Sequence, residues 1–250
     1  MQDRIILVEG NDDYHFLLNV LDILSEFQGI DPSEKTPEKC VITPRQGLED
    51  GWSLFLRQAN GIDSLLSEIP LLLKTRDVER LIVIADADLS FESRVAEITQ
   101  RLTDTLETGE VLPTSGPGGM YELQLYGRQV RFFPWIMPNN EDEGMLEDFF
   151  VRLIQVDELV FSETNKYIQH LLELPKEIRF KKSHESKAKV HAWLAAQEPP
   201  GDPMGRAISA QSRSDKKRES SGDTSPLRLN LESDLMRSFL KWLHLAIFND

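Results

Sequence analysis

Cysteine is almost absent from this sequence: Cys40 stands alone in 250 residues. No intramolecular disulfide can form, and a zinc site built on cysteines is disfavoured. That scarcity suits a reducing, cytoplasmic compartment. Long apolar runs are missing as well, since nothing approaches the roughly 20 apolar residues a membrane span needs. The opening MQDRIILVEGNDD has an acid at position 3 and an apolar run too short for a signal-peptide core. A soluble, cytoplasmic protein with no membrane association is expected. Positive charge is outnumbered, with 28 Lys and Arg against 42 Asp and Glu. The formal net charge of −14 argues against a protein that coats nucleic acid, because such proteins neutralise phosphates with Lys and Arg. The balance is uneven, for residues 181–218 hold nine Lys and Arg against four Asp and Glu. Either a local basic surface holds a polyanion there, or the charges belong to a solvated helix face and a loop. No internal repeat and no Walker A loop is visible.

What is present is ordinary for a globular chain, with 40% hydrophobic and 28% charged residues. Its length allows one substantial core, or one core with an appended subdomain. Residues 4–8 (RIILV) are a short apolar run that breaks off at Glu9-Gly10, the pattern of a buried strand leaving a sheet. Tyr14, Phe16, Leu17, Leu18, Val20, Leu21 and Leu24 follow at helical spacing, with Asn11 or Asp12 as N-cap. Residues 40–43 (CVIT) read as a strand closed by Pro44, and 50–74 as one or two helices interrupted at Gly61 and Pro70. Residues 80–88 (RLIVIADAD) are the clearest strand, continuous and apolar as in the middle of a parallel sheet. Ser90 is placed to cap the helix that follows.

This alternation predicts an α/β fold over 1–137, with a largely parallel sheet flanked by helices. Residues 113–119 (PTSGPGG) read as a loop, and 121–126 with 129–137 as a hairpin or two edge strands around Gly127. From 138 to 250 the pattern is mostly helical and is expected to pack on the core as an extension. Helices are predicted near 145–153, 163–174, 183–196 and 231–248. Residues 198–226, rich in Pro, Gly, Ser and charge, read as a mobile loop.

Chemistry concentrates at two strand ends. Within a strand, i and i+2 project to the same side, so Asp86 and Asp88 form a carboxylate pair at the end of the 80–88 run. Such a pair repels itself unless a cation or a proton sits between. Hard oxygen ligands suit Mg2+ or Mn2+. In an open parallel sheet, ligands bind in the crevice beyond the carboxyl ends of the strands. Glu9 leaves the first strand at the corresponding end, so the three acids converge if the two strands are neighbours. The plainer alternative is that Asp88 does no more than cap the next helix.

Val8-Glu9-Gly10-Asn11-Asp12-Asp13 resembles the Glu-Gly-x-x-Asp motif of Toprim domains, found in DnaG-type primases, topoisomerases and OLD-family nucleases. Ile84-Ala85-Asp86-Ala87-Asp88 is similar to their second motif, a hydrophobic strand ending in Asp-x-Asp. The segments 137–148 and 187–192 are similar to stretches of stand-alone Toprim-like prokaryotic proteins related to the OLD-family nucleases. The resemblance implies a Toprim-like Rossmannoid sheet and a divalent-metal site acting on phosphodiester bonds. Glu9 would be the general acid/base or share the metal, Asp86 and Asp88 would ligate Mg2+ or Mn2+, and Asp13 would ligate or orient a ligand. No zinc-binding Cys cluster accompanies the motifs, and the chain is too short for a topoisomerase's separate tyrosine domain. A nuclease acting on DNA or RNA is the activity expected.

Other acids and bases carry two readings each. Glu147 and Asp148, with Glu141, Asp142 and Glu143 before them, are candidates for a second ion or for supporting the first. They also fit a solvated loop and a helix N-terminus, where acids favour the dipole. His184, Lys187, Lys189 and His191 share a helix, and Lys187, Lys189 and His191 are candidates for holding phosphate; a solvated helix surface is the alternative. Trp52, Trp135, Trp193 and Trp242 sit among apolar neighbours and read as core before stacking platforms. Against the nuclease stands a non-catalytic Toprim-like module that binds a nucleotide or a partner, such as an ATPase encoded elsewhere. A homo-oligomer fits either reading. A phosphatase of the haloacid dehalogenase type would need Asp-x-Asp on the first strand with Thr or Val in fifth place, where Ser90 stands here.

Overall fold

The apolar runs at 4–8 and 80–86 become adjacent strands in the middle of a mixed sheet. A computed structural model describes residues 2–24, 27–30, 39–44, 52–75, 77–106, 119–174, 180–221 and 228–248. Its strands are β1 (Gln2–Val8), β2 (Phe27–Ile30), β3 (Lys39–Pro44), β4 (Trp52–Gln58), β5 (Val78–Asp86), β6 (Tyr121–Leu125) and β7 (Arg128–Met137). They form one seven-stranded sheet in the order β2-β3-β4-β1-β5-β7-β6. β4, β1, β5 and β7 run parallel, while β3 and β6 pair antiparallel on either side of them. The chain lays β4 on one side of β1 and then crosses to lay β5 on the other. The carboxyl ends of β1 and β5 therefore flank a topological switch point, where an open α/β sheet leaves a crevice.

The helices are α1 (Asn11–Ile23), α2 (Ile62–Leu73), α3 (Phe91–Thr105), α4 (Leu146–Leu153), α5 (Leu159–Leu172), α6 (Glu185–Ala195), α7 (Met204–Ser221) and α8 (Asp234–Phe248). Alternate residues of the central strands feed two cores. Ile5, Leu7, Leu81, Val83, Phe132 and Ile136 meet Leu65, Ile69, Ile98 and Leu102 of α2 and α3. Ile6, Val8, Ile82, Ile84, Phe133 and Trp135 meet Phe16, Phe149, Trp193, Ile208 and Phe239, drawn from α1, α4, α6, α7 and α8. Residues of the helical part from 138 thus complete the second core. Trp135 and Trp193 are buried, and Trp52 and Trp242 pack against the same core. Among the described residues no helix is long and apolar enough to cross a membrane.

Several local expectations change. The stretch opening at 50, read as helical, holds strand β4, in which Leu54 and Leu56 are buried at period two. α2 begins only after Gly61 and runs through Pro70. The 121–137 region is the expected hairpin, but only β6 lies at the edge, because β7 pairs in parallel with β5. Of residues 198–226, expected as a mobile loop, 222–226 lie outside the described residues, and 204–221 form helix α7 instead. Its first half is held against α1: Met204 and Ile208 are buried, and Ser209 Oγ donates to Asn19 Oδ1 at 2.5 Å. Gln211 Oε1 accepts the N–H groups of Arg228 and Leu229 at 3.0 and 3.2 Å, anchoring the chain beyond the helix. The 113–119 loop, apart from Gly119, lies outside the described residues.

Candidate functional site

Glu9 is the first residue beyond β1, and Asp86 is the last residue of β5. Because these strands are neighbours, the two side chains meet across the switch point: Glu9 Oε2 accepts the Asp86 N–H at 3.2 Å. Two helices start at the same edge. α1 follows β1 with Gly10 at its N-cap, and Asp13 Oδ2 folds back to accept the Gly10 N–H at 3.0 Å. α4 follows β7 with Met145 at its N-cap, and Asp148 Oδ2 accepts the Met145 N–H at 2.9 Å. Asp86 Oδ1 in turn accepts the Leu146 N–H at 2.9 Å. Both helix N-termini thus direct positive dipole ends at this edge, where carboxylates gain from them.

Four carboxyl groups converge here: Glu9, Asp13, Asp86 and Glu147. Burial raises the pKa of Asp13 to about 7, and the negative charges of Glu9 and Glu147 push it the same way. Asp86 is raised well above the usual carboxylate value by burial and by Asp13, Glu9 and Glu147. Glu9 is raised too, by burial and by Asp88, although the Asp86 N–H and the Arg94 guanidinium work against the shift. Asp13 is 7% exposed, and its Oδ1 is buried without a hydrogen-bond partner. A buried carboxylate oxygen among like charges is stabilised by a proton or a cation. Oxygen-only donors of this kind match the preferences of Mg2+ and Mn2+.

Asp88 stands differently from Asp86. β5 ends at Asp86, and Asp88 adopts a left-handed backbone (φ 54°), so strand alternation no longer relates the two. Its side chain is half exposed and accepts from Arg94 at 2.8 Å. Its backbone exchanges hydrogen bonds of 2.8 and 2.9 Å with Gly144, clamping the acidic turn beside the site. Within that turn Glu141, Asp142 and Glu143 are exposed, and Asp142 pairs with Arg152 at 2.9 Å. Gly144 sits at φ 132°, and a Cβ there would lie 2.8 Å from Asp148 Oδ2, so glycine is required.

The family described as "Protein of unknown function (DUF3226)" matches residues 3–247. The chain belongs to the DUF3226 family. A structural likeness links this DUF3226 chain to the crystal structure of hypothetical protein PH0156 from Pyrococcus horikoshii OT3. That likeness has 17% identity and a TM-score of 0.39, and covers 86% of this chain and 95% of the other. No curated protein matches the chain.

Of the residues singled out from sequence, the DUF3226 chain brings Glu9, Asp13, Asp86 and Glu147 together. Glu147 is 3% exposed and pairs with Lys187, whose Nζ lies 3.2 Å from its Oε1. Burial works against the Lys187 charge, but Glu147, Asp12 and Asp86 together hold its pKa above the usual lysine value. Asp148 is occupied in capping α4 and in accepting the Ser186 hydroxyl. Lys189 pairs with Glu185 at 2.6 Å, two residues round the helix from Lys187. His191, one turn beyond Lys187, reaches Asp12 and Glu147. Two residues escaped the sequence reading as site residues. Asp12, which the sequence offers only as a helix cap, lies in the first turn of α1, whose N-cap is Gly10. Arg94 donates to the Asp86 carbonyl at 2.7 Å while pairing with Asp88 and Glu97. The available signal was an arginine near the start of α3, where the helix dipole disfavours a cation.

Proposed function

We propose that this protein is a metal-dependent phosphodiesterase, a nuclease acting on DNA or RNA. The observation that carries the reading is the convergence of half-buried Glu9 and Asp86 with buried Asp13 and Glu147 at the carboxyl edge of β1 and β5. The Toprim-like order of the Glu9-Gly10 and Asp86-Ala87-Asp88 segments supports the same reading. Asp13, Asp86 and Glu9 would hold Mg2+ or Mn2+, with Asp88 and Glu147 beside them. The ion would supply a Lewis acid that offsets charge developing on a phosphoryl group.

The chain's own residues supply the rest. Glu9, whose carboxyl burial holds above the usual glutamate value, is the group placed to move a proton. Asp13 and Asp148 fix the first turns of α1 and α4 and so fix the edge of the site. Arg94 holds the Asp86 carbonyl and the Asp88 carboxylate in place. Lys187 is the basic side chain at the mouth, suited to a phosphate oxygen.

The second reading is a non-catalytic nucleotide- or partner-binding module, acting with an ATPase or as a homo-oligomer. The exposed acids Glu141, Asp142 and Glu143 beside the site favour it, because they repel a long polyanion. A panel of single- and double-stranded DNA and RNA with Mg2+ or Mn2+ separates the two. Wild type is expected to cut at least one substrate, and Glu9→Gln and Asp86→Asn are each expected to lose about 100-fold or more in rate. Absence of cutting, or cutting that survives in both variants, favours the binding module.

A further inference from the structure

We propose that Asp12, Glu147 and His191 form a second cation site, in which Lys187 is a built-in counterion that a divalent ion displaces. Three separate elements make it: Asp12 is in the first turn of α1, Glu147 in the first turn of α4, and His191 on α6. One ligand atom from each lies within 4.8 Å of the others. Independent of that grouping, a positive charge already sits between two of them, with Lys187 Nζ at 3.2 Å from Glu147 and 3.8 Å from Asp12. The position is therefore one that the fold fills with a cation.

Lys187 suits exchange. Its side chain is 46% exposed, on a flexible four-carbon stem that can swing into water without disturbing the core. Glu147 cannot do the same, because its side chain is 4% exposed and needs a cation wherever Lys187 goes. An ammonium has no lone pair to offer a metal, so Lys187 and a divalent ion exclude one another by charge. Lys187 and His191 lie four residues apart on one face of α6, so the displaced cation and the incoming ligand share a single platform.

The donor set differs from its neighbour. Glu9, Asp13 and Asp86 offer oxygen alone, whereas this site adds an imidazole. Imidazole shifts preference from Mg2+ toward Mn2+ or Zn2+. Asp12 and His191 stand at the rim, which gives the ion a route in from solvent. The inference deepens the metal-site reading above and rests on it, since Glu147 acts on both groups of ligands.

The test is a Mn2+ titration of the full, metal-free chain, followed by calorimetry and by electron spin-echo detection of 14N coupled to the ion. Two binding events and a 14N signal are expected. His191→Gln, a change at an exposed residue, is expected to abolish the 14N signal and weaken one event at least about tenfold. Lys187→Met is expected to tighten that event about tenfold. Asp86→Asn should remove the other. A 14N signal that is absent in wild type or survives His191→Gln overturns the inference, as does Lys187→Met leaving the affinity unchanged or lower. Mn2+ binding that depends on Asp86 without any 14N signal overturns it while leaving the first metal site standing. No binding at all overturns both.

Discussion

Asp13 carries a buried carboxylate oxygen with no partner, and its pKa stands near 7, raised from the usual aspartate range. The sign of the consequence follows from linkage. A carboxyl whose folded pKa lies above its unfolded value stabilises the fold below the unfolded value. That contribution is lost as pH rises through the folded value. Asp86 is shifted in the same direction. The metal-free protein is therefore expected to lose thermal stability between about pH 4 and about pH 8. Asp13→Asn keeps the acceptor for the Gly10 N–H and removes the charge. It is expected to flatten this profile and to be roughly 2–4 kcal/mol more stable than wild type at pH 8. Mn2+ added at pH 8 should stabilise wild type more than the variant. Unfolding curves across pH check all three, and a variant less stable than wild type at pH 8 would contradict the assigned direction.

Helix α7 shows how an element can be made by its neighbour. Its sequence is poor in apolar residues, and helix formation is cooperative with a costly first turn, so isolated helical propensity is a weak guide. Gly205 supplies the decisive contact. A Cβ there would lie 2.4 Å from the His15 carbonyl oxygen and 2.7 Å from Asn19 Nδ2. α1 and α7 therefore approach backbone to backbone at this point, and Asn19 donates to the His15 carbonyl beside it at 2.7 Å. Gly205→Ala is expected to force the helices apart and destabilise the protein by about 1–3 kcal/mol. Urea unfolding measures it. A neutral result would place the α1–α7 approach elsewhere. The acids that open α1 and α4 tell a related story: Asp13 and Asp148 occupy equivalent positions three residues past their N-caps. One ends among buried acids and the other on a serine hydroxyl.

At the scale of the whole molecule, the sheet is the partition, and the core on its α1 side is incomplete without the chain after residue 138. Trp135 and Phe133 of β7 face Phe149 and Phe239, which come from the extension after residue 138. Two buried arginines tie the last helix to the sheet: Arg4 donates to the Ile247 carbonyl, and Arg80 to those of Leu245 and Ala246 at 3.4 and 3.3 Å. Both arginines are in turn paired with Glu79 at 3.5 Å. A fragment ending at Met137 would expose one face of the sheet and strand these guanidinium groups, so it is expected to lack a cooperative thermal transition. Calorimetry of the fragment checks this, and a sharp transition would instead mean that residues 2–137 fold alone.

Much was legible in the residues alone. The continuous apolar runs of β1 and β5, the Ser90 cap of α3, the 121–137 hairpin and the last helix were read from local pattern. So was the acidic core of the site, because Glu9 and Asp86 stand where apolar strands stop. Strand β4 was not legible as a strand, since a short apolar stretch fits period two or period 3.6 until pairing with β1 decides between them. Nor was α7, whose helicity rests on Gly205 meeting α1. The split between Asp86 and Asp88 depends on a left-handed turn bridged to Gly144, some 56 residues later in the chain. Asp12, Glu147 and His191 come together only because α1, α4 and α6 pack on one face of the sheet. Local sequence determined which strands end in acids; long-range packing decided which of those acids share a site, because only burial in common brings their charges to bear on one another.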